Sequence, residues 1–335
     1  MPVGTMWPSS LAIGLQCTIF EIVAYRLDSY YSSHVKSLLC KGSVMTTPAS
    51  PDTTTELSYR TFISEPIPIG GMRLPDGTPM EWSPLSTTLI TGRRDAVLVD
   101  PPFTRDQVRR VGEWIERSGR RLTHIYLTHA HGDHWFGAPA LVDRFPGTVV
   151  HATEGTIARM PASAGATREQ LWDKWFPGQI PDTPVIAAPV PADGFELEGH
   201  RLYGVEVGHS DTDDSTALHV PSMGLVVAGD IAYNGVHQYL AEGGNGGLDA
   251  WLRAIDTVAA LHPRTVIAGH KDKSLADGPV VLDQTRQYLA DARRLLDGNL
   301  TAREFFDAML TLHPDRLNPG ALWLSATILL GRPEK

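Results

Sequence analysis

The stretch Thr128-His129-Ala130-His131-Gly132-Asp133-His134 decides how the rest of the chain is interpreted. It follows the apolar residues 122–127, which predict a buried strand. Side chains alternate along a strand, so His129 and His131 lie on one side of an extended segment and can reach one ion. The aspartate and the last histidine come where the chain turns into a helix, and they can serve a second ion. Zinc accepts such nitrogen and oxygen ligands. The alternative is a polar loop that happens to be rich in histidine.

Composition limits the possible functions. The 335 residues are 42% hydrophobic and 20% charged, enough for one large domain or two small ones with a sizeable core. The net charge of −9 argues against a nucleic-acid surface, because lysine and arginine carry phosphate binding. Cys17 and Cys40 both lie near the N-terminus. No disulfide framework is therefore expected, and a metal site must be built from histidine and carboxylate.

The N-terminal region differs from the rest. Residues 11–25 are apolar but include Gln16 and Glu21, and no basic segment precedes them. They are too short and polar for a membrane span and make a poor signal peptide. Met45 opens a linker rich in Thr, Pro and Ser. We expect residues 1–55 to be a disordered extension and linker, or residues 1–44 to precede the true start. No membrane association is expected, and the cytoplasm is the expected compartment.

From residue 56 onward, strands followed by covering helices occur twice. This pattern predicts an α/β (α+β) fold in which two sheets pack face to face between helices, a four-layer αββα sandwich. We expect one domain over residues 56–275, and a C-terminal helical extension over 276–335 packed on it. The predicted strands are 59–64, 85–91, 96–99, 122–127, 148–151, 195–197, 202–207, 217–220, 225–228 and 265–268. The predicted helices are 104–118, 136–145, 248–261, 277–296, 301–313 and 320–330.

Residues 153–184 interrupt this rhythm with Gly, Pro and Ala around an aromatic cluster of Trp172, Trp175 and Phe176. They form either a hydrophobic staple on a surface helix or an insert near the active site, serving as a lid or pocket wall. Together with Trp135, they favour an apolar or aromatic acyl group in the substrate.

Three later predicted strands each end on a glycine followed by a metal-capable side chain, namely His209, Asp230 and His270. A single strand of this kind is usually just a chain reaching solvent. Three of them, added to the first motif, predict that all of these side chains meet at one site.

These motifs, in this order, resemble the metallo-β-lactamase superfamily over residues 59–270. The resemblance is carried by His-x-His-x-Asp-His at 129–134, Gly-His-Ser at 208–210, Gly-Asp at 229–230 and Gly-His at 269–270. It implies two zinc ions per chain, with iron or manganese as alternatives. By resemblance, the first ion is held by His129, His131 and His209, and the second by Asp133, His134 and His270, with Asp230 bridging both.

An aspartate as the bridging ligand resembles the glyoxalase II and lactonase branches of this superfamily. One departure is that Trp135-Phe136-Gly137 follows the motif where most members have a small or aliphatic residue and two glycines. The shape of the pocket near the metals is therefore in question.

Tyr233 stands three residues after Asp230, an arrangement similar to the N-acyl homoserine lactone lactonases, where such a tyrosine contacts the substrate oxygen. A phenol can donate to a developing oxyanion; packing in the pocket wall is the alternative. Asp133 is the second predicted catalytic residue, placed to orient a hydroxide or pass on its proton.

Other polar residues near the motifs receive structural roles. We expect turn-forming side chains, rather than direct metal ligands, at Asp211, Asp213 and Asp214. Asp100 is the expected partner of a ligating histidine. Among the remaining histidines, we expect His219 to be a strand residue, and His151 and His237 to be structural or at the edge of the pocket.

The sequence thus predicts a metal-dependent hydrolase that uses a hydroxide shared by two ions to cleave a carboxylic ester, lactone or thioester. Hydrolysis of β-lactams or organophosphates stays open. A further alternative resembles the persulfide dioxygenases, which use one iron; His134 and His270 argue against it. A nuclease, or a metal-binding module without turnover, is less favoured. The expected partner is a small-molecule substrate. Residues 318–323 line either a pocket or a dimer contact, so a homodimer stays open.

Overall fold

The computed structural model describes residues 56–181 and 187–331, so the predicted extension over residues 1–55 lies outside the described residues. A mixed sheet is covered by helices. The strands are β1 Ser58–Ser64, β2 Ile67–Arg73, β3 Pro79–Trp82, β4 Leu85–Thr91, β5 Asp95–Val99, β6 Arg121–Tyr126, β7 Val149–Ala152, β8 Ala188–Pro189, β9 Phe195–Leu197, β10 His200–Gly208, β11 Ser215–Val220, β12 Leu225–Asn234 and β13 Thr265–Lys271. The helices are α1 Arg105–Arg117, α2 Ala138–Arg144, α3 Glu154–Ala162, α4 Asp173–Trp175, α5 Gly247–Ala259, α6 Val280–Leu296, α7 Ala302–Leu312 and α8 Pro319–Leu329.

The main sheet has two halves that meet at a narrow seam. The strand order is β8-β7-β6-β5-β4-β13-β12-β11-β10-β9, and β1 also pairs with β4. The first half contains β1 and β4–β8, and the second contains β9–β13. Between the halves, β4 and β13 pair antiparallel at His270 and Leu85. The seam therefore brings the end of β13 next to the first half of the sheet.

The two halves face each other across an apolar layer. Val97 and Val99 from the first half share one buried cluster with Val227 and Ile267 from the second. Burying such branched side chains contributes about 1.5–3 kcal/mol each relative to exposure. This layer is the interior of the predicted sandwich.

Helices cover the outer faces. Helix α1 turns Val108, Val111 and Ile115 into the larger of the two cores, as the helical spacing predicts. It begins at Thr104, whose side chain forms a capping box with Gln107. Helices α6, α7 and α8 follow the last strand along the chain.

The predicted fold class is confirmed, and most predicted elements lie within two or three residues of their observed bounds. The β2–β3 hairpin was not predicted. Strand β12 runs on to Asn234, well beyond its predicted end at residue 228. The proposed division at residue 275 stays a prediction. Among the described residues, none of the helices combines the length and apolar character that crossing a membrane requires.

Candidate metal centre

The centre begins at the loop after β6, where the carboxylate of Asp100 binds Thr128. Asp100 has a left-handed φ of 52° and is buried. Its Oδ1 accepts the Thr128 backbone N–H at 2.9 Å, and its Oδ2 accepts the Thr128 hydroxyl at 2.7 Å. Oδ2 also lies 3.1 Å from Nδ1 of His134. As predicted, Asp100 supports a histidine of the motif, and it fixes the start of the loop as well.

A nearby polar group binds one ring nitrogen in each of three histidines at the centre. Nδ1 of His129 lies 3.0 Å from the Thr128 hydroxyl, and Nε2 of His131 lies 3.0 Å from Glu242. Nδ1 of His270 donates to the Pro84 carbonyl at 3.1 Å. These partners direct Nε2 of His129, Nδ1 of His131 and Nε2 of His270 toward the carboxylates of the centre.

Four residues form the inner group of the site, namely Asp133, His134, Asp230 and His270. Nε2 of His270 lies 3.4 Å from Asp133 and 3.3 Å from Asp230. Nε2 of His134 lies 3.3 Å from the other oxygen of Asp230. The two oxygens of Asp230 therefore face different histidines of the inner group.

Glycines allow the strand ends to approach this closely. A Cβ on Gly269 would lie 2.0 Å from Oδ1 of Asp230, and one on Gly229 would lie 2.4 Å from the hydroxyl of Thr128. Gly229 also has a left-handed φ of 52°. The glycines before Asp230 and His270 thus make room for the site, as their position in the sequence suggested.

Three residues form the outer group, namely His131, Asp211 and Glu242. Nδ1 of His131 lies 2.7 Å from Oδ2 of Asp211. The same oxygen lies 3.7 Å from Nε2 of His129. The structure therefore brings His129, His131 and Asp211 close enough to share one ion.

Six of the seven predicted metal ligands fall into groups whose ligand atoms lie within 4.8 Å of one another, and His209 does not. Its Nδ1 lies 2.7 Å from Asp213 instead. Asp211, expected to be a turn residue, points into the centre. The role of His209 as a ligand stays a prediction.

Charge is concentrated at this centre. Burial lowers the pKa of His129 to about 4, helped by the neighbouring His134. Burial also opposes protonation of His134, but Asp230 and Asp133 outweigh it and raise the pKa to about 9. Burial likewise opposes ionisation of Asp230, yet His270 and His134 hold its pKa well below the ordinary value. The carboxylates thus create a potential that attracts positive charge.

The family model described as the metallo-beta-lactamase superfamily matches residues 80–270, more than half of the chain. The protein belongs to the metallo-β-lactamase superfamily. A hydroxyacylglutathione hydrolase of Chromohalobacter salexigens is 27% identical over 186 residues, which are 53% of this chain and 60% of that protein. The chain thus spans less than two thirds of the length of this relative.

Solved structures show the same fold. A metallo-β-lactamase family protein of Thermus thermophilus superposes with a TM-score of 0.55 and 22% identity, covering 81% of this chain and 92% of that one. A metallo-β-lactamase from Pontibacter korlensis superposes with a TM-score of 0.51 and 18% identity, covering 70% and 99%.

The side chains at the centre have the chemistry needed to bind a metal ion. Nε2 of His129, Nε2 of His134 and Oδ1 of Asp230 are buried without a hydrogen-bond partner. Buried polar atoms normally have partners, and buried charges are paired or coordinate metals. Imidazole nitrogen and carboxylate oxygen are donors that zinc, iron and manganese accept. The convergence of these atoms is what a cation site requires.

A cleft with about 870 Å³ of empty space, part of it open to solvent, reaches the centre. Its metal-facing residues include His131, Asp133, Asp211, Asp230 and His270. The remaining wall is largely apolar or aromatic and includes Ile69, Met80, Trp82, Leu171, Trp172, Trp175, Ala321 and Leu324.

The predicted insert forms one side of this cleft. Trp172 and Trp175 pack on Trp82, with ring centroids 4.9 and 5.9 Å apart. Phe176 is buried and packs edge-on to Trp82 at 5.8 Å. Of the two interpretations of this segment, the structure favours a pocket wall. Residues of the 318–323 segment also line the cleft.

Trp135 does not shape the pocket, contrary to its predicted role. Its indole N–H donates to the carbonyl of Ala130 at 3.1 Å, and its ring is buried against Phe136. Because this bond folds the ring beneath the motif loop, Trp135 is part of the core.

The remaining histidines have the structural roles that were expected. His219 lies in β11. His151 packs against both His124 and Phe195, with ring centroids 5.4 and 5.1 Å away, and His237 bonds the Tyr288 hydroxyl.

Tyr233 lines the cleft, but its hydroxyl donates to Oδ2 of Asp230 at 2.5 Å. Burial and the charge of Asp230 raise the pKa of this phenol well above 10, so it keeps its proton. The group that it contacts is the carboxylate that faces both histidines of the inner group. Contact with a substrate oxygen stays a prediction.

Sequence reasoning missed two residues that contact the centre. The indole N–H of Trp82 donates to Oδ2 of Asp133 at 3.0 Å. Glu242 accepts from His131 and from the hydroxyl of Thr212. Neither residue belongs to a motif, and each is brought in by a segment distant in sequence. Only the tertiary fold reveals them.

Proposed function

We propose that this protein hydrolyses an uncharged carboxylic ester, lactone or thioester with an apolar acyl part, with two zinc ions, or iron or manganese, as cofactors. The observation that carries the proposal is the opening of the buried, unpartnered ligand atoms of the centre onto an apolar cleft. The membership in the superfamily and the relative named for hydroxyacylglutathione hydrolysis support hydrolytic chemistry at this site.

In this proposal His129, His131, Asp133, His134, Asp230 and His270 hold the ions. Bound ions would activate water near neutral pH and polarise a substrate carbonyl. Asp133 accepts or orients the proton of the attacking water, because its carboxylate lies in the inner group and faces the cleft. Trp82 holds one oxygen of Asp133 and thereby fixes the direction of the other.

Two tyrosines complete the reacting region. Tyr233 positions Asp230 through its short hydrogen bond. Tyr239 lines the cleft with its ring edge-on to His131 at 5.7 Å. Burial raises the pKa of Tyr239 to about 12, so its phenol stays protonated. We assign Tyr239 as a hydrogen-bond donor to the substrate, since a protonated phenol stabilises developing negative charge on oxygen.

The lining of the cleft favours an uncharged substrate. Of the described residues that line it, none is a lysine or an arginine, whereas Glu81 and Glu242 add negative charge. A substrate carboxylate away from the reacting carbonyl would find no cationic side chain there and would face like charge. Glutathione thioesters and β-lactam antibiotics both carry carboxylates. We therefore rank neutral lactones, esters and thioesters above them.

The test compares substrates on protein reconstituted with Zn²⁺. A medium-chain acyl lactone, an aryl ester and a neutral acyl thioester are measured beside an S-acylglutathione and a penicillin. We expect at least one neutral substrate to be cleaved with a kcat/KM at least about 10-fold above both charged ones, roughly 1.4 kcal/mol of discrimination. Faster cleavage of a charged substrate would overturn the assigned substrate class.

A matched pair of variants tests the mechanism. Asp133→Asn removes the proton acceptor and should lower kcat at least about 100-fold. Asp143→Asn alters an exposed carboxylate on α2 and should leave kcat unchanged. Full activity in Asp133→Asn would contradict the role of Asp133. Oxygen uptake with a persulfide, in place of hydrolysis, would favour the dioxygenase alternative.

A further inference from the structure

The loop between β10 and β11 carries three aspartates that point in two directions. Asp213 and Asp214 face outward, where Arg159 donates to them at 2.8 and 2.5 Å. The side chains of both are about half exposed. Asp211 is buried and faces the opposite way. One short loop therefore fixes its two outer carboxylates on a surface arginine and turns the third into the protein.

The two oxygens of the Asp211 carboxylate have different surroundings. Oδ1 accepts the hydroxyl of Ser210 at 3.0 Å. Oδ2 is buried and lies 2.7 Å from Nδ1 of His131. It also lies 3.7 Å from Nε2 of His129, a buried nitrogen that lacks a hydrogen-bond partner. The three ligand atoms have the mutual separations of a shared ion site.

His209 lies outside this group of atoms. Its Nδ1 is bound to Asp213, and its Nε2 is buried without a hydrogen-bond partner, 2.8 Å from the position that a Cβ on Gly247 would take. Gly247 begins α5. His209 belongs to none of the three groups of potential ligands found among the described residues.

We propose that Asp211, and not His209, is the third protein ligand of the first metal ion. The first site is then two imidazoles and a carboxylate, in place of the three imidazoles that the sequence motif implies. Such a donor set adds one negative charge beside Asp230, and two imidazoles with one carboxylate can also hold iron.

The surroundings of Asp211 support a ligand role. Glu242 binds Nε2 of His131, which leaves Nδ1 directed at Asp211. The second oxygen of Glu242 accepts the hydroxyl of Thr212, the residue after Asp211. A carboxylate on the remote nitrogen of a ligating histidine is the usual means of orienting the ring. Glu242 therefore holds both His131 and the loop that carries Asp211.

The proposal rests on the metal dependence of the superfamily and not on the hydrolysis proposed above, so its readout is metal content. Asp211→Asn and His209→Ala are stripped of metal, reloaded with Zn²⁺, and dialysed against a weak chelator. Zinc per chain is measured by elemental mass spectrometry, and folding by circular dichroism. Reloading with Co²⁺ gives an absorption spectrum that reports the ligands of each site.

We expect wild-type protein to hold two ions, Asp211→Asn to hold about one, and His209→Ala to hold two with an unchanged cobalt spectrum. Retention of two ions by Asp211→Asn, or loss of one by His209→Ala, would overturn the assignment. If Asp211→Asn does not fold, His209→Ala decides alone, because it removes a side chain bonded only to the outward-facing Asp213. If wild-type protein holds two ions but hydrolyses none of the substrates, the proposed function is contradicted. The assignment of Asp211 as a ligand is then unaffected.

Discussion

The inner and outer groups of the metal centre differ in how they are built. The side chains of His134 and His270 are 0% and 5% exposed, whereas those of His131 and Glu242 are 24% and 41% exposed. Asp230 and His270 of the inner group lie on strands in the middle of the sheet. Asp211 and Glu242 of the outer group lie on loops.

This difference indicates which part of the centre is more sensitive to substitution. The inner group is fixed by close packing, since Gly269 leaves no space between Asp230 and the neighbouring backbone. The outer group is held by hydrogen bonds between loops, where water can substitute for a lost partner. We expect loss of the carboxylate behind a histidine to cost more metal affinity in the inner group than in the outer group.

The strongest way to break the inner group is Gly269→Ala. Its Cβ would lie 2.0 Å from Asp230 and 2.7 Å from the backbone of Gly229, so the strand ends must separate. We expect a loss of about 3 kcal/mol in the free energy of unfolding, the upper range for overpacking, together with loss of both ions. Gly278→Ala is the control, since nothing lies within 4 Å of its Cβ. Chemical denaturation and metal analysis measure both effects; wild-type stability in Gly269→Ala would refute this packing argument.

The two groups are compared directly by removing the carboxylate behind one histidine of each. Asp100→Asn acts on His134 and keeps a residue that tolerates the left-handed backbone, and Glu242→Gln acts on His131. We expect metal affinity to fall about 10- to 100-fold in Asp100→Asn, as for other partners of ligating histidines, and less than about 10-fold in Glu242→Gln. Competition with a chelating dye measures both; the reverse order would refute the proposed division of roles.

A buried histidine outside the centre shows what happens when no carboxylate balances the ring. Burial lowers the pKa of His237 to about 3, helped by the charges of Arg316 and His313. The folded pKa is below the unfolded value of about 6.5, so between these values the unfolded chain binds one more proton. This contribution to stability is present above pH 6.5 and falls by about 1.4 kcal/mol for each unit below it.

Denaturation at pH 7 and pH 5 tests this contrast. His237→Gln should remove about 2 kcal/mol of the wild-type loss between these values, the amount that 1.5 units below pH 6.5 represents. His262→Asn, on an exposed turn with a left-handed backbone, is the control and should keep the wild-type dependence. An unchanged pH dependence in His237→Gln would show that other groups cause the loss.

The smallest expected effect comes from removing the hydrogen bond between Trp82 and Asp133 of the inner group. Trp82→Phe keeps an aromatic ring against Trp172 but removes the N–H that holds Asp133. Losing a hydrogen bond to a charged group should lower kcat about 10-fold, or roughly 1.5 kcal/mol. Trp114→Phe, which packs on Phe62 on the outer side of α1, is the matched control. Equal kcat values in the two variants would remove Trp82 from the mechanism.

The sequence was most informative where chemistry and secondary structure coincide. A polar residue after a glycine predicted that Asp230 and His270 meet at one site, although β12 and β13 continue past them to Asn234 and Lys271. The same reasoning was less informative at residues 209–214, where His209 and Asp211 are only two residues apart. Loop torsions decide which of them turns inward, and local composition does not determine these torsions.

Packing between distant segments was the other limit. The apolar character of Trp135 gave no sign that its N–H would bond to Ala130 and draw the ring into the core. The contact of Trp82 with Asp133 spans 51 residues and lies on a hairpin that was not predicted. The fold class could be predicted because it depends on the repeated order of strands and helices. That order does not change when a single side-chain contact or a short hairpin is missed.

The seam between the two halves of the sheet determines how a bound ion would affect the stability of the fold. The described strands of the two halves pair with each other at His270 and Leu85, while the ligands come from the β6 loop on one side and from β12, β13 and the β10–β11 loop on the other. A bound ion would therefore act as a cross-link across the sandwich. Its binding energy would add to the cohesion of the halves, so a chelator would lower the unfolding temperature as well as stop turnover.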